Sequence, residues 1–232
     1  MSQLTIYHGS DHIIKKPNLS LGKTNNDYGQ GFYLTEDLEL AKEWACKNNT
    51  EGYVNSYSLN TLGLRILNLN SSDYSILNWI AILLKHRTFK LDSDIARSSR
   101  EYIINEFGIN IKEYDVIIGY RADDSYFSFA ESFVENSLPL RSLNNALRFG
   151  NLGEQIVLVS KMAFEQLKFN EAVEAEKNIY YPKYMLRDNR ARQSYKNESR
   201  GTANLLNDIF VLDIIRQEMK NDDPRIQRII FE

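Results

Sequence analysis

One cysteine is all this 232-residue chain has. Cys46 by itself excludes an internal disulfide framework and any cysteine-rich zinc site. Long apolar runs are missing too. The longest, Trp79–Leu84, has six residues, and a membrane-spanning helix needs about 18 or more. The opening stretch MSQLTIYHGS lacks the basic-then-apolar layout of a secretory signal. A reducing cytoplasm is therefore the expected compartment, and no membrane partner is expected. Bulk positive charge is also absent. At net −3 the chain cannot coat nucleic acid through overall charge, which leaves room only for a local basic patch. The sequence holds no HExxH, no Gly-x-Ser-x-Gly and no phosphate loop ending in Gly-Lys-Ser/Thr. His12 and His86 have no carboxylate or cysteine companion at ligand spacing, so no metal is expected.

The rest is ordinary for a globular protein: 43% hydrophobic and 25% charged residues. Periodicity and breakers predict strands at Leu4–His8, Gly31–Leu34, Tyr53–Leu59, Arg65–Leu69, Tyr114–Tyr120 and Glu154–Val159. They predict helices from a Thr35 cap to about Asn48, and at Asp73–His86, Ser93–Phe107 (stopped by Gly108), Ser125–Asn136, Leu140–Phe149, Pro182–Tyr195 and Asn204–Lys220. Strands in the first third, helices in the middle and one returning strand favour α+β over alternating βαβ. Cys46, beside Ala45 on an amphipathic helix, reads as packing.

Charge is unevenly placed. From Lys177 to Arg200 seven Lys/Arg face only Asp188 and Glu198, net +5, which leaves −8 for the remainder. Four tyrosines (180, 181, 184 and 195) are interleaved with these cations, a composition suited to gripping phosphates and bases. The plainer reading is a solvated helix face.

Three short motifs carry candidate chemistry. Tyr7-His8-Gly9-Ser10 ends a strand with an imidazole, a glycine that allows close approach, and a hydroxyl. Gly29-Gln30-Gly31-Phe32-Tyr33-Leu34-Thr35 presents a flat aromatic face after two glycines. Glu154-Gln155-Ile156-Val157 opens an apolar strand with a carboxylate and an amide, which need partners or a cavity. Taken singly, each reads more simply as a strand end, a tight loop or an exposed strand start.

In this order, and with Ile117–Phe127 (IIGYRADDSYF) between the second and third, they resemble the His–Tyr–Glu layout of ADP-ribosyltransferases of the diphtheria-toxin and poly(ADP-ribose) polymerase type. The resemblance is closer still to a bacterial branch of unknown function found in toxin-like settings. It implies a split antiparallel β-sandwich with helical insertions, a catalytic domain over 1–170 and a helical basic extension over 171–232. It implies NAD⁺ as cosubstrate: His8 on a ribose hydroxyl, the Gly9 backbone on the carboxamide, Ser10 and Gly31 lining the site, and Tyr33 against the nicotinamide ring. Glu154 or Gln155 would be the third catalytic residue. Alternation sets the two on opposite faces, and both faces continue apolar, so the pattern leaves the choice open. Asp123 and Asp124 are candidates for the acceptor side, or simply for a helix cap; Arg190 and Arg192 are candidates for a nucleic-acid acceptor. Arg121 could meet a pyrophosphate. The expected activity is mono-ADP-ribosyl transfer to a protein or nucleic acid, with an antitoxin as a possible partner. The competing expectations are an NAD⁺ glycohydrolase and an inactive module that binds through the basic tail.

Overall fold

The computed structural model describes residues 3–122, 124–149, 153–200 and 208–226. Along these run β1 (Gln3–Ser10), β2 (Phe32–Leu34), α1 (Leu38–Ala45), β3 (Gly52–Asn60), β4 (Ile66–Asn68), α2 (Ile76–His86), α3 (Asp94–Phe107), β5 (Val116–Tyr120), α4 (Asp124–Val134), α5 (Leu140–Phe149), β6 (Glu154–Leu158), α6 (Lys161–Glu165), β7 (Leu167–Ala175), α7 (Lys177–Arg200) and α8 (Val211–Arg216). The fold is α+β. None of the described helices is long and apolar enough to cross a membrane. Two compact units are interleaved along the chain. The first comprises Met1–Asn68, Asn110–Arg121 and Gly153–Arg187, and the second Leu69–Ile109, Ala122–Leu152 and Asp188–Glu232.

The first unit holds both sheets, ordered β1-β3-β7 and β2-β6-β5-β4. The three-stranded sheet is antiparallel throughout. The four-stranded one departs from the expected all-antiparallel pattern, because β4 runs parallel to β5. Parallel neighbours cannot be joined by a hairpin and need a long crossover. Residues 69–115 provide that connection.

Strand alternation puts Ile6, Leu34, Tyr57, Leu59, Val116, Ile156 and Leu158 into one buried cluster between the sheets. On the other face of β1 and β3, Ala41, Ala45 and Cys46 of the α1 region pack on Val54 and Ala175. The Cys46 thiol donates to the Ala175 carbonyl at 3.2 Å, and burial pushes its pKa up, so it packs rather than reacts. Helix α1 lies so close to β1 that a Cβ on Gly9 would stand 2.0 Å from the Ala41 carbonyl oxygen and 2.6 Å from the Ala45 nitrogen. Gly9→Ala should therefore force the helix off the sheet and cost roughly 1–3 kcal/mol or more. Thermal unfolding checks this; an unchanged midpoint would refute the close packing.

In the second unit α2 is buried from Ile76 to Leu84, which explains its nearly continuous apolar sequence. It starts three residues later than expected. Ser75 is its cap, with the Ser75 backbone N–H donating to Asn78 Oδ1 at 2.8 Å, and the Asn78 amide donates to the Phe107 carbonyl at 2.9 Å. Helix α3 ends at Gly108 as expected, but in an extended conformation (φ −67°, ψ 141°) rather than a left-handed one.

Other differences have local causes. Asp37, not Thr35, caps α1, its carboxylate accepting from the Glu39 and Leu40 N–H groups. Strand β7 and the short α6 were not expected. The boundary expected at residue 170 falls inside β7, which pairs along β3 with a register shift at Ser56/Tyr57. That irregularity breaks the two-residue alternation, so Leu167–Ala175 does not read as a strand. Helix α7 begins at Lys177, five residues before the expected start. Of the helix expected over Asn204–Lys220 the described part is only α8, Val211–Arg216: 208–210 and 217–220 are not helical, and 204–207 lie outside the described residues.

Candidate functional site

Strand β1 meets β2 through one bridge, with Tyr7 and Thr35 exchanging backbone hydrogen bonds of 2.8 and 2.9 Å. This contact brings the first two motifs together. His8 Nδ1 lies 2.7 Å from the Tyr33 carbonyl oxygen. A carbonyl only accepts, so Nδ1 carries the proton and Nε2 is left as the acceptor of the neutral ring. The half-buried imidazole packs on Phe32, with ring centroids 4.5 Å apart. Removal from water pushes its pKa down to about 4, against the pull of the Tyr33 carbonyl; the charges of Lys47 and His12 push the same way. At neutral pH the ring is therefore uncharged.

A stability consequence follows from this shift. The unfolded imidazole takes a proton near pH 6.5, whereas the folded one resists it down to about 4. The unfolded state then binds more protons, so folding stability should fall as pH drops through that window. Denaturant midpoints measured from pH 7 to 4 should decline in the wild type and decline less in His8→Gln. Equal slopes would refute the buried neutral ring.

Tyr33 does more than present a face. Its hydroxyl donates to the Gly29 carbonyl at 2.6 Å and accepts from the Tyr28 N–H at 3.1 Å, tying down the loop before β2. Gly31 is needed for packing, since a Cβ there would stand 2.6 Å from Val157 Cγ1. Ser10 is a turn residue: its hydroxyl donates to the His12 carbonyl at 2.5 Å and accepts from the Asn55 amide at 3.0 Å. Buried Asn55 also accepts from the Ile14 N–H at 2.7 Å, so it shapes the segment that leaves His8. No local motif marks Asn55 in the sequence; a polar residue inside an apolar strand was the only signal.

Glu154 and Gln155 separate as alternation requires. Gln155 is 3% exposed, and its amide donates to Asp27 Oδ2 at 3.0 Å and to the Tyr120 carbonyl at 3.2 Å. The same carbonyl accepts from the Tyr28 hydroxyl at 2.8 Å. Gln155 is thus a strut between β6, β5 and the loop carrying buried Asp27. Glu154 is exposed, opposite Tyr120 in register. It shares its strand face with Ile156 and Leu158, which pack against Ile6 between the sheets. His8 shares the face of Ile6. The inter-sheet side therefore carries His8 and Glu154, while Tyr33 and Gln155 stand on the reverse face of their sheet.

The family described as "Protein of unknown function (DUF3990)" matches residues 4–169, more than two thirds of the chain. The chain belongs to the DUF3990 family. No curated protein matches it, and no solved structure matches it either.

All three motifs lie within the DUF3990 span, and so do Arg121, expected to meet a pyrophosphate, and Trp44, which sequence reasoning did not single out. The Arg121 guanidinium sits over the Trp44 ring, 5.1 Å from its centroid. The Trp44 indole N–H is buried and has no hydrogen-bond partner among the described residues.

The acceptor candidates fare unevenly. Asp123 lies outside the described residues; Asp124 opens α4, but its side chain is not described. Arg190 is exposed on α7, and the Arg192 side chain lies outside the description. Two other tail cations are already engaged within the first unit. Lys183 pairs with Glu39 at 2.9 Å, and Arg187 grips buried Glu43 with two bonds of 2.7 and 2.9 Å. Hydrogen bonds from Lys42 and Lys183 hold the Glu39 carboxyl down to about 2. The start of α7 is therefore a clasp on α1. Among the described residues, no three His, Cys, Asp or Glu side chains gather as a metal site.

Proposed function

We propose that this DUF3990 chain is an NAD⁺-dependent mono-ADP-ribosyltransferase, toxin-like in kind, acting on a macromolecule. The observation that carries the reading is the placement of neutral His8 and exposed Glu154 on one side, between the two sheets, with His8 fixed to the backbone of Tyr33. His8 Nε2, an acceptor at neutral pH, would take a hydrogen bond from a ribose hydroxyl. The Glu154 carboxylate would stand by the sugar as the bond from C1′ to nicotinamide nitrogen breaks and its electron pair leaves with nicotinamide. Positive charge then develops on the ribose, and a fixed carboxylate stabilises it. An acceptor oxygen or nitrogen closes the bond to C1′ and gives up its proton.

Gln155 is assigned a structural role, because both its amide contacts are internal. Tyr33, on the reverse face, is assigned the role of holding the loop before β2 through its hydroxyl, so the ring stacking expected of it is not part of this reading. One observation favours a second reading: Glu154 is open to solvent, so water could serve as acceptor and the product would be free ADP-ribose. Incubation with NAD⁺ labelled on the adenylate, with and without cell lysate, separates the two. Label that enters a macromolecule and survives washing supports transfer, and protease or nuclease treatment then names its class. Label appearing only as ADP-ribose supports hydrolysis. Intact NAD⁺ in both samples would refute an NAD⁺-consuming enzyme.

A further inference from the structure

Three cations converge near the end of β1, and none of them has an ion pair or a side-chain hydrogen bond among the described residues. Lys47 follows α1, Lys23 lies in the loop before β2, and Arg121 follows β5. Their segments are far apart in sequence and are held together within the first unit. A Cβ on Gly9 would stand 3.0 Å from Trp44 Cβ, which sets the end of α1 against the end of β1. The Arg121 guanidinium lies over the Trp44 ring, and the Arg121 N–H donates to the Gly153 carbonyl at 3.3 Å. The Tyr28 hydroxyl, donating to the Tyr120 carbonyl at 2.8 Å, ties the loop of Lys23 to the end of β5. Gln30 Nε2 donates to the Gly22 carbonyl at 3.2 Å and fixes the turn from which Lys23 leaves.

The three charges act on one another. Protein atoms crowd the Lys47 ammonium and lower its pKa; Arg121 and then Lys23 lower it further, and Asp11 alone pulls the other way. Asp11 is itself hydrogen-bonded to His12 at 2.5 Å. Three cations against one carboxylate leave a concentrated positive excess in a chain of net charge −3. Other cations of the same unit are neutralised: Lys42 and Lys183 pair with Glu39, and Arg187 with Glu43. Like charges gathered without counter-charges raise the free energy of the fold, and an anion seated among them reverses the sign of that interaction. Arg121 is half-buried and stacked on an indole, which orients its guanidinium without cancelling its charge. Lys23 and Lys47 are exposed and free to close on a ligand. The size of the excess suits a diphosphate rather than a lone carboxylate.

We propose that Lys23, Lys47 and Arg121 form a binding site for a diphosphate group, with Arg121 as the fixed contact and the two lysines closing over it. Of the three, Arg121 alone carried an expectation of meeting a pyrophosphate; the lysines join it only in the fold. The proposal does not depend on the NAD⁺ reading, since NAD⁺ and a nucleoside diphosphate both carry the group. Calorimetric titration of the full chain with inorganic pyrophosphate, orthophosphate, ADP and NAD⁺ tests it.

Pyrophosphate should bind about tenfold tighter than orthophosphate, the equivalent of one further charge-assisted hydrogen bond. Arg121→Gln and Lys47→Gln should each weaken pyrophosphate by about tenfold, with thermal unfolding showing that the variants remain folded. Lys47→Gln should unfold at the wild-type temperature or above it, because it removes a repulsion and no ion pair. Lys168→Gln, at an exposed lysine of β7 in the same unit, should leave pyrophosphate affinity unchanged. Pyrophosphate displaced by NAD⁺ assigns the diphosphate to the cosubstrate; displacement by ADP and not by NAD⁺ assigns it to a nucleoside diphosphate. Failure of pyrophosphate to bind at millimolar concentration would overturn the proposal. So would folded Arg121→Gln and Lys47→Gln proteins that bind pyrophosphate like the wild type. NAD⁺ consumption without pyrophosphate binding would remove this site and leave the NAD⁺ reading standing.

Discussion

Glu154→Gln should lower NAD⁺ turnover by about a hundredfold or more and leave NAD⁺ affinity nearly unchanged. The substitution keeps the shape of the side chain and removes its charge. In the ground state the ribose is neutral, so a carboxylate beside it contributes little to binding. As the glycosidic bond breaks, charge appears on the sugar, and only then does the carboxylate act. The expected signature is thus a fall in kcat with a steady KM. Glu154 is exposed at the start of β6 and makes up none of the buried cluster between the sheets, so the variant should fold like the wild type. Initial rates of nicotinamide release, measured with unfolding curves on the same samples, decide the matter. A drop in affinity with unchanged turnover, or no change in either, would remove Glu154 from the proposed chemistry.

For the neighbouring residue the expected result is one of stability. Gln155→Glu should destabilise the fold by about 3–5 kcal/mol at neutral pH, the scale of a broken buried polar pair. The amide now donates to Asp27 Oδ2 at 3.0 Å and to the Tyr120 carbonyl, and both partners can only accept while Asp27 is ionised. A carboxylate in its place would set two negative charges in contact in a site where Asp27 is 7% exposed and residue 155 is 3% exposed. Such a pair holds on to one proton. The variant should therefore recover stability as pH falls, unlike the wild type, whose His8 makes it less stable in the same direction. Asp27→Asn added to Gln155→Glu should restore most of the loss, because the new amide can donate to the new carboxylate. A Gln155→Glu protein as stable as the wild type at pH 7, or no rescue in the double variant, would refute the strut.

Local pattern goes a long way in this chain. The short apolar runs Leu4–His8 and Glu154–Val159 and the alternation of Tyr53–Leu59 located three strands that the fold contains, and Asp73–His86 read as a helix that the fold starts at Ile76. The α+β class followed from the order of these elements. Legible too were the short motifs around His8, Tyr33 and Glu154, since each breaks the apolar pattern of its strand. Whether Glu154 or Gln155 stands buried was not legible, because the residues after them are apolar on both faces. That choice rests on Asp27, 128 residues away from Gln155, and on the loop that the Tyr33 hydroxyl holds in place. The basic tail shows the same limit. Read locally, Lys183 and Arg187 belong to a cationic, tyrosine-rich segment. In the fold they close on Glu39 and Glu43, each 144 residues distant. Strand β7 was hidden by its register shift, and the parallel pairing of β4 with β5 by the excursion that separates them. A strand or helix period is written in neighbouring residues. The partner of a polar side chain is fixed only when distant segments pack, and the burial that comes with packing sets what each such group costs or contributes.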